Sequence, residues 1–432
     1  MNNKILIVGM GYVGLTLAAG IIKKTKLHIY GYDKNKKVIS NLKKGSSHIF
    51  EPNLEKIIIE AIKLKKITFS TKLKKSLAFQ TIIICVGTPI NPGNKKVINQ
   101  SIISSCNEIK HLLKNDCLVI LRSTVKIGTT KNIVKKILDR QQIPYRLAYC
   151  PERTLEGNAI FELSNLPQII STEDDPSLNR ATAFFKLFNK NIVSVDRYEK
   201  GEFIKLIDNS YRDTFFSMSN QIGLISKELG FSSNEIIEKA NYKFKRTNLA
   251  MTGPVGGPCL SKDPYILDQS YNKKLNSIFL AGRKVNETFI QNACIEIENL
   301  IKSHPNKKKI NVIIFGIAFK CYPPTNDIRY SAATEVIRRI NKKFKNSKIK
   351  IFDSFVSREQ IDALGCRKIN NLNDAKNADI LILHSYILKK DRTTLKKFLT
   401  NANQKLIIYS FWYFQELNKI IKKKQKLFTL AN

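Results

Sequence analysis

The stretch GPVGGPCLSKD, residues 253–263, sets one thiol among residues that mostly refuse regular structure. Gly256, Gly257 and Pro258 precede Cys259 on what reads as an irregular loop with open backbone, and Lys262 and Asp263 follow it. The thiolate is the reactive form, and an ammonium nearby favours it over a free thiol of pKa about 8.5. Beside a hydride acceptor such a thiolate has a specific use. It adds to an aldehyde to give a thiohemiacetal, hydride loss gives a thioester, and water releases an acid. A second set lies in EFIKLIDNSYRD, where Lys205, Asn209 and Arg212 recur at i, i+4 and i+7, which puts them on one helix face. Such a stripe is ordinarily a solvated face; turned towards a site, Lys205 and Asn209 would stabilise charge developing on a reacting oxygen. The third is CPERTLEG, residues 150–157, directly after the apolar RLAY. Glu152, at a strand end, could orient or deprotonate a water. No histidine lies in these motifs, so a histidine-based alcohol oxidation has no candidate.

The hydride acceptor is suggested at the start of the chain. Gly9-Met10-Gly11-Tyr12-Val13-Gly14 follows the strand KILIV and opens a helix, the context a G-x-G-x-x-G motif requires. Gly9 permits a tight turn, Gly11 lets backbone approach a pyrophosphate, and Gly14 lets helix and strand pack closely. The amides of Tyr12 and Val13 then face a phosphate. Asp33 ends the second strand, placed for ribose hydroxyls, and its charge favours NAD over NADP, although Lys34, Lys36 and Lys37 oppose it. VGTP with Thr88 and STV with Thr124 fall at later strand ends, where ligands gather in such sheets.

Positioning these groups calls for an α/β framework. The first 150 residues alternate short apolar strands with amphipathic helices, which predicts a parallel sheet covered on both faces. A long helical pattern runs from about Tyr198 to Leu229, and Ser232 with Glu235 reads as a capping box. Helices resume after the Gly/Pro stretch to about Lys302. A charged hinge at Lys307–Lys309 precedes a second alternating unit: INVIIFG, a helix from about Ser331, KIKIFD, ADILILHS and KLIIYSF. The expected architecture is two Rossmann-like doubly wound parallel-sheet domains, residues 1–197 and 303–432, joined by a central helical domain, 198–302.

Composition bounds the rest. With 432 residues, 43% of them hydrophobic, the chain can fill two or three cores. The formal net charge of +38 would suit a nucleic-acid binder, but the lysines are scattered in pairs and triplets without an arginine-rich or aromatic-basic tract. No nucleic-acid partner is expected, and the basic surface instead suits anionic small molecules. Eight cysteines, widely spaced and without a CxxC pair, imply reduced thiols in a cytoplasm and no zinc site. No apolar run reaches membrane-spanning length. The N-terminal apolar stretch imitates a signal peptide, yet cleavage near Ala19 would remove the phosphate loop.

Together GMGYVG, CVGTP, RSTVKIGTT, CPERTLEG, KLIDNSYRD, GPVGGPCLSKDP and FGIAFK with DIRYS resemble the UDP-glucose / UDP-N-acetylhexosamine / GDP-mannose 6-dehydrogenase family across nearly the whole chain. The resemblance implies a four-electron oxidation of a sugar C6 hydroxyl to a carboxylate with two NAD. It makes Cys259 the nucleophile, has Lys205 and Asn209 polarise the reacting oxygen, has Asp263 and Thr124 hold a water, and gives Glu152 the thioester hydrolysis. Glu156 and Lys262 would sit beside the nicotinamide, Lys320 and Gly256 would meet the nucleotide sugar, and Arg329 would reach cofactor phosphates. A homodimer through the central helices is implied, with Arg246 crossing to the neighbour's site. Three departures bear on the sugar: CYPPTNDI lengthens the segment between Lys320 and Arg329, IIYSFWYF replaces an Asp-x-Arg contact, and Pro258 directly precedes Cys259. Arg212 and CPERTLEG lean towards acetamido sugars. The competing readings are a two-electron hydroxyacid dehydrogenase, which has no need of Cys259, and a basic nucleic-acid-binding protein.

Overall fold

The computed structural model describes residues 4–271, 275–304, 310–385, 389–413, 415–421 and 424–430. The lysine hinge at 307–309 lies outside the described residues, as do Lys422, Lys423 and Phe414 of IIYSFWYF. The chain divides into two compact units, Met1–Asn209 with Tyr265–Leu275, and Ser210–Pro264 with Asn276–Asn432.

Among the described residues the first unit holds eight strands: β1 (Lys4–Val8), β2 (His28–Tyr32), β3 (Ile67–Ser70), β4 (Thr81–Ile84), β5 (Cys117–Leu121), β6 (Tyr145–Tyr149), β7 (Gln168–Ser171) and β8 (Ile192–Val195). They lie in the order β3-β2-β1-β4-β5-β6-β7-β8. The central strands KILIV, TIII and CLVIL are buried almost throughout, because helices cover both faces of a parallel sheet. Ile7, Ile83 and Ile120 fill one face, and Leu6, Ile82 and Val119 the other. The parallel expectation needs one correction: β7 meets β6 antiparallel, through Tyr149 and Ser171. Their connection carries only the one-turn helix Ala159–Glu162.

The second unit holds β9 (Asn311–Phe315), β10 (Lys348–Phe352), β11 (Arg367–Ile369), β12 (Ile380–Leu383), β13 (Ile407–Ser410) and β14 (Lys426–Thr429), in the order β11-β10-β9-β12-β13-β14. All five junctions are parallel. Each sheet thus reverses its strand order beside its first strand, between β1 and β4 and between β9 and β12, and that reversal opens a ligand crevice at the strand C-termini.

The long helical pattern forms one 31-residue helix, Tyr198–Glu228. Ser232 caps the next, Ser233–Asn241, by accepting from the Glu235 amide, and Ser277 caps Ile278–Ser303 in the same way through Leu280. Ser331 caps Ala332–Lys343. No helix among the described residues is long and apolar enough to cross a membrane.

Candidate active site

The phosphate loop takes the backbone its glycines predict. Gly9 sits at φ +96°, and a Cβ on Gly14 would lie 1.9 Å from the Gly9 carbonyl oxygen, so neither position accepts a side chain without moving the turn. The Gly9 amide donates to Tyr32 across β1 and β2, and the Met10 amide donates to Asp33 Oδ2 at 2.9 Å. Asp33 Oδ1 accepts from the Asn35 amide, so each carboxylate oxygen is anchored once and keeps a lone pair for a ribose hydroxyl. A cleft of about 540 Å³ opens here, lined by Gly9, Gly11, Asp33, Lys34, Val86 and Gly87 among others. A Cβ at Gly11 would meet nothing within 4 Å, which leaves the backbone face open to a pyrophosphate. The residues therefore fit a dinucleotide. Thr88 Oγ1 donates to the Thr124 carbonyl and Ser123 Oγ to the Val86 carbonyl at 2.6 Å, which stitches together the two strand-end loops.

In the same unit, Lys205 and Asn209 lie one turn apart on the Tyr198–Glu228 helix, each 7% exposed. Lys205 Nζ forms no ion pair among the described residues, an unusual state for a buried ammonium. Arg212, one turn on, is exposed. CPERTLEG leaves β6 as a loop. Glu152 is buried and takes Arg122 Nη2 at 2.7 Å and Nε at 3.2 Å on Oε2, while Oε1 accepts the amides of Arg153 and Thr154, both at 2.8 Å. Burial alone would raise the Glu152 carboxyl, but the Arg122 charge and the Thr154 hydrogen bonds hold it below its ordinary range. Arg153 pairs with Asp208 at 2.7 Å, tying this loop to the helix beside Asn209. Glu156 is half-buried.

In the second unit Cys259 is the exposed thiol of the eight. Burial pushes the thiols of Cys85, Cys106, Cys117, Cys294 and Cys366 up to about 12, and that of Cys150 higher still, so none of these supplies a thiolate near neutrality. Cys259 sits on a loop pinned at both ends. Asn220 exchanges two hydrogen bonds, each 3.0 Å, with the backbone of Gly253. The Arg283 guanidinium, 1% exposed, donates to the carbonyls of Val255 and Leu260 on either side of the thiol and pairs with Asp213 at 2.8 Å. Asn286 donates to Asp213 as well. Burial pushes the Asp213 carboxyl up to about 6, against the pull of Arg283. The Gly257 amide donates to the Tyr330 carbonyl, and a Cβ on Gly256 would lie 2.4 Å from that oxygen, so the loop packs against DIRYS. Lys262 pairs with the fully buried Asp263 at 2.6 Å, which makes the pair neutral and weakens the field Lys262 alone would exert on the thiol. Lys320 lies over the Phe319 ring and lines a small cleft with Asp353 and Thr325 at the β9 and β10 ends. Arg329 is exposed and paired with Asp327. Arg246 is exposed and stacks on Phe244 at 4.8 Å.

Several residues of this framework escaped the motif reading. Arg122, Asp213 and Arg283 form buried ion pairs whose partners lie 30 and 70 positions away in the chain, and no local spacing marks them. Glu202 accepts from the Gly128 and Thr130 amides and the Thr130 hydroxyl at 2.5–2.7 Å, which fixes the STVKIGTT loop to the helix that carries Lys205. Glu51 accepts from Tyr12 Oη and, at 2.8 Å, from the Gly157 amide, which joins the phosphate loop to CPERTLEG. Asp353 could have been found: it ends KIKIFD as Asp33 ends HIYGYD, and it accepts the Ile317 amide at 2.8 Å as Asp33 accepts that of Met10.

The first unit thus offers a cleft that fits a dinucleotide, and the second a clamped, exposed thiol. The chain belongs to the UDP-glucose/GDP-mannose dehydrogenase family: residues 3–189 match the family's NAD binding domain and residues 199–288 its central domain. It is an NAD-dependent nucleotide-sugar dehydrogenase. The chain is 30% identical to a UDP-N-acetyl-D-mannosamine dehydrogenase of Methanocaldococcus jannaschii, over 94% of this chain and 92% of that protein. It is also 30% identical to the Yersinia pestis enzyme of the same name, over 78% and 82%. Its fold is that of the UDP-D-ManNAc dehydrogenase of Pyrococcus horikoshii, with a TM-score of 0.83, 22% identity and 99% of each chain covered.

Proposed function

We propose that the chain oxidises the C6 hydroxyl of a UDP-linked N-acetylhexosamine to a carboxylate through a covalent intermediate on Cys259. The observation that carries this reading is the contrast among the thiols: Cys259 is exposed on a clamped loop, whereas six others are buried and held protonated. NAD, when bound, accepts the hydride in each of two oxidations. The hydroxyl proton passes to the water proposed beside Asp263 and Thr124, and Lys205 and Asn209 steady the alkoxide as the alcohol becomes an aldehyde. The Cys259 sulfur then adds to the aldehyde carbon, and the resulting thiohemiacetal loses its C6 hydrogen as hydride to leave a thioester. Water, positioned by Thr124, Asp263 and Glu152, adds to the thioester carbon, and the departing sulfur takes a proton to restore the thiol. Lys320 and Gly256 contact the nucleotide sugar, while Glu156, Lys262 and Arg329 meet the cofactor. The acetamido sugar is favoured because the relatives at 30% identity act on UDP-N-acetyl-D-mannosamine by name.

The reading divides the chain at 198 and 303 into cofactor, central and nucleotide-sugar segments, and places it in a reducing cytoplasm. It pairs two copies through the central helix, where Tyr211, Met218, Ile225 and Leu229 form an exposed apolar stripe at helical spacing. Arg246 would cross there to the second copy. Light scattering tests that state, and a monomer at micromolar concentration sinks it. The chemistry is tested by counting: the expected yield is two NADH per sugar, with Cys259→Ala losing at least about 10³-fold in rate. One NADH per sugar, formed independently of Cys259, overturns the covalent route.

A further inference from the structure

Lys34 follows Asp33 directly, at the place where a basic residue would grip a 2′-phosphate on the adenosine ribose. Two of its three N–H donors are already engaged. Lys34 Nζ lies 2.5 Å from Glu108 Oε1 and 2.7 Å from Ser104 Oγ, both on the helix Gln100–Ile109 that borders the same cleft. Glu108 is held from two further sides. Tyr32 Oη donates to its Oε2 at 2.6 Å, and Ser104 Oγ donates to its Oε1 at 3.3 Å. Asp33, Lys34, Ser104 and Glu108 all line the cleft, so its charged rim reads two carboxylates against one ammonium.

An exposed pair of this kind adds little to stability, since Lys34 is 61% and Glu108 27% exposed. Its effect on a ligand is larger, because a 2′-phosphate would have to share Lys34 with Glu108 while facing both carboxylates. We infer that Glu108 is a specificity-determining residue, keeping the cleft selective for NAD over its 2′-phosphorylated form by occupying Lys34 and setting a second carboxylate beside Asp33.

The test measures binding directly, by calorimetry on the full chain with NAD and NADP, at about 50 mM salt so that the rim charges are not screened away. Glu108→Gln keeps the shape and an acceptor for Tyr32 while removing the charge. It is expected to tighten NADP binding about tenfold and to leave NAD within about twofold, since NAD presents no phosphate to the rim. Lys34→Ala added to Glu108→Gln should take back most of that gain. Unchanged NADP affinity in Glu108→Gln overturns the inference, as does a gain that survives Lys34→Ala. Loss of both dinucleotides would make Glu108 part of the cleft's construction and overturn it too.

Discussion

Arg122 brings a positive charge into the interior at 2% exposure, and the groups around it answer that charge: Glu152 with two hydrogen bonds to one oxygen, the Cys150 carbonyl, and Gln168 Oε1 at 2.9 Å. Burial of the two charges costs several kcal/mol each, offset only while both remain in place. Arg122→Met is therefore expected to destabilise by about 3–5 kcal/mol, because it strands a buried carboxylate, and Glu152→Gln by a similar amount, because it strands the guanidinium. The double variant should recover more than half of the summed loss, which urea unfolding at pH 7 will show; purely additive losses would refute the coupling. The sign with pH follows from the depressed Glu152 carboxyl. Its contribution is present above the ordinary carboxylate value of 4.5 and is lost as pH falls through the lower folded value. In Arg122→Met the carboxyl has lost the charge that opposed its burial, so the deficit against the parent chain should shrink as pH falls and the carboxyl takes a proton. For the proposed chemistry the consequence is that Glu152 stays ionised, and since each of its oxygens already accepts two hydrogen bonds, it meets a water only when one of those donors lets go.

Among the elements, the two long helices earn their length by carrying the polar groups that hold the cysteine loop. Asp213 and Asn220 stand seven residues apart on Tyr198–Glu228, Arg283 and Asn286 three apart on Ile278–Ser303, and all four are at most 1% exposed. Both helices thus aim a face at residues 253–260, and the clamp fixes backbone on each side of Cys259. Arg283→Lys keeps the charge for Asp213 but cannot reach two carbonyls in the same fork. The expected result is a fall of 10²-fold or more in kcat with KM for the nucleotide sugar within about threefold, and a slower alkylation of Cys259 by iodoacetamide across the pH range. An unchanged kcat in a folded Arg283→Lys would reduce the clamp to scaffolding. The elements themselves were legible where burial is continuous: β1, β4, β5, β9 and β12 read as apolar runs, and Gly9 to Gly14 marked their own turn. The strands β3, β7, β8, β11 and β14 were not picked out, being three or four residues long and, but for β7, only partly buried. Cys259 stood out as a candidate in GPVGGPCLSKD, and Lys205 with Asn209 in EFIKLIDNSYRD, because each set lies within one short window of its own. Arg283, Arg122 and Glu51 were not, because a buried polar pair is defined by a partner that only the fold brings near.

On the scale of the whole molecule, 73 basic against 35 acidic residues leave a net charge of +38, and this charge acts in two opposed directions. Like charges spread over one folded surface repel, which destabilises the compact state, and salt relieves the repulsion. The same positive field draws in NAD and a nucleotide sugar, both anionic, and salt weakens that attraction. The two effects therefore separate in one titration. Raising sodium chloride from about 20 to 300 mM shortens the screening length from roughly 20 Å to 6 Å, which should raise the unfolding temperature by a few degrees while lowering kcat/KM for the nucleotide sugar severalfold. Chloride serves better than phosphate or sulfate, which would compete at the sites themselves. Calorimetry and initial rates on the same samples decide the matter. If kcat/KM holds constant while stability climbs, the basic surface acts only on folding and the capture of substrate rests on the clefts alone; a fall in both would mean that local ion pairs such as Lys34–Glu108 outweigh the net repulsion in setting stability.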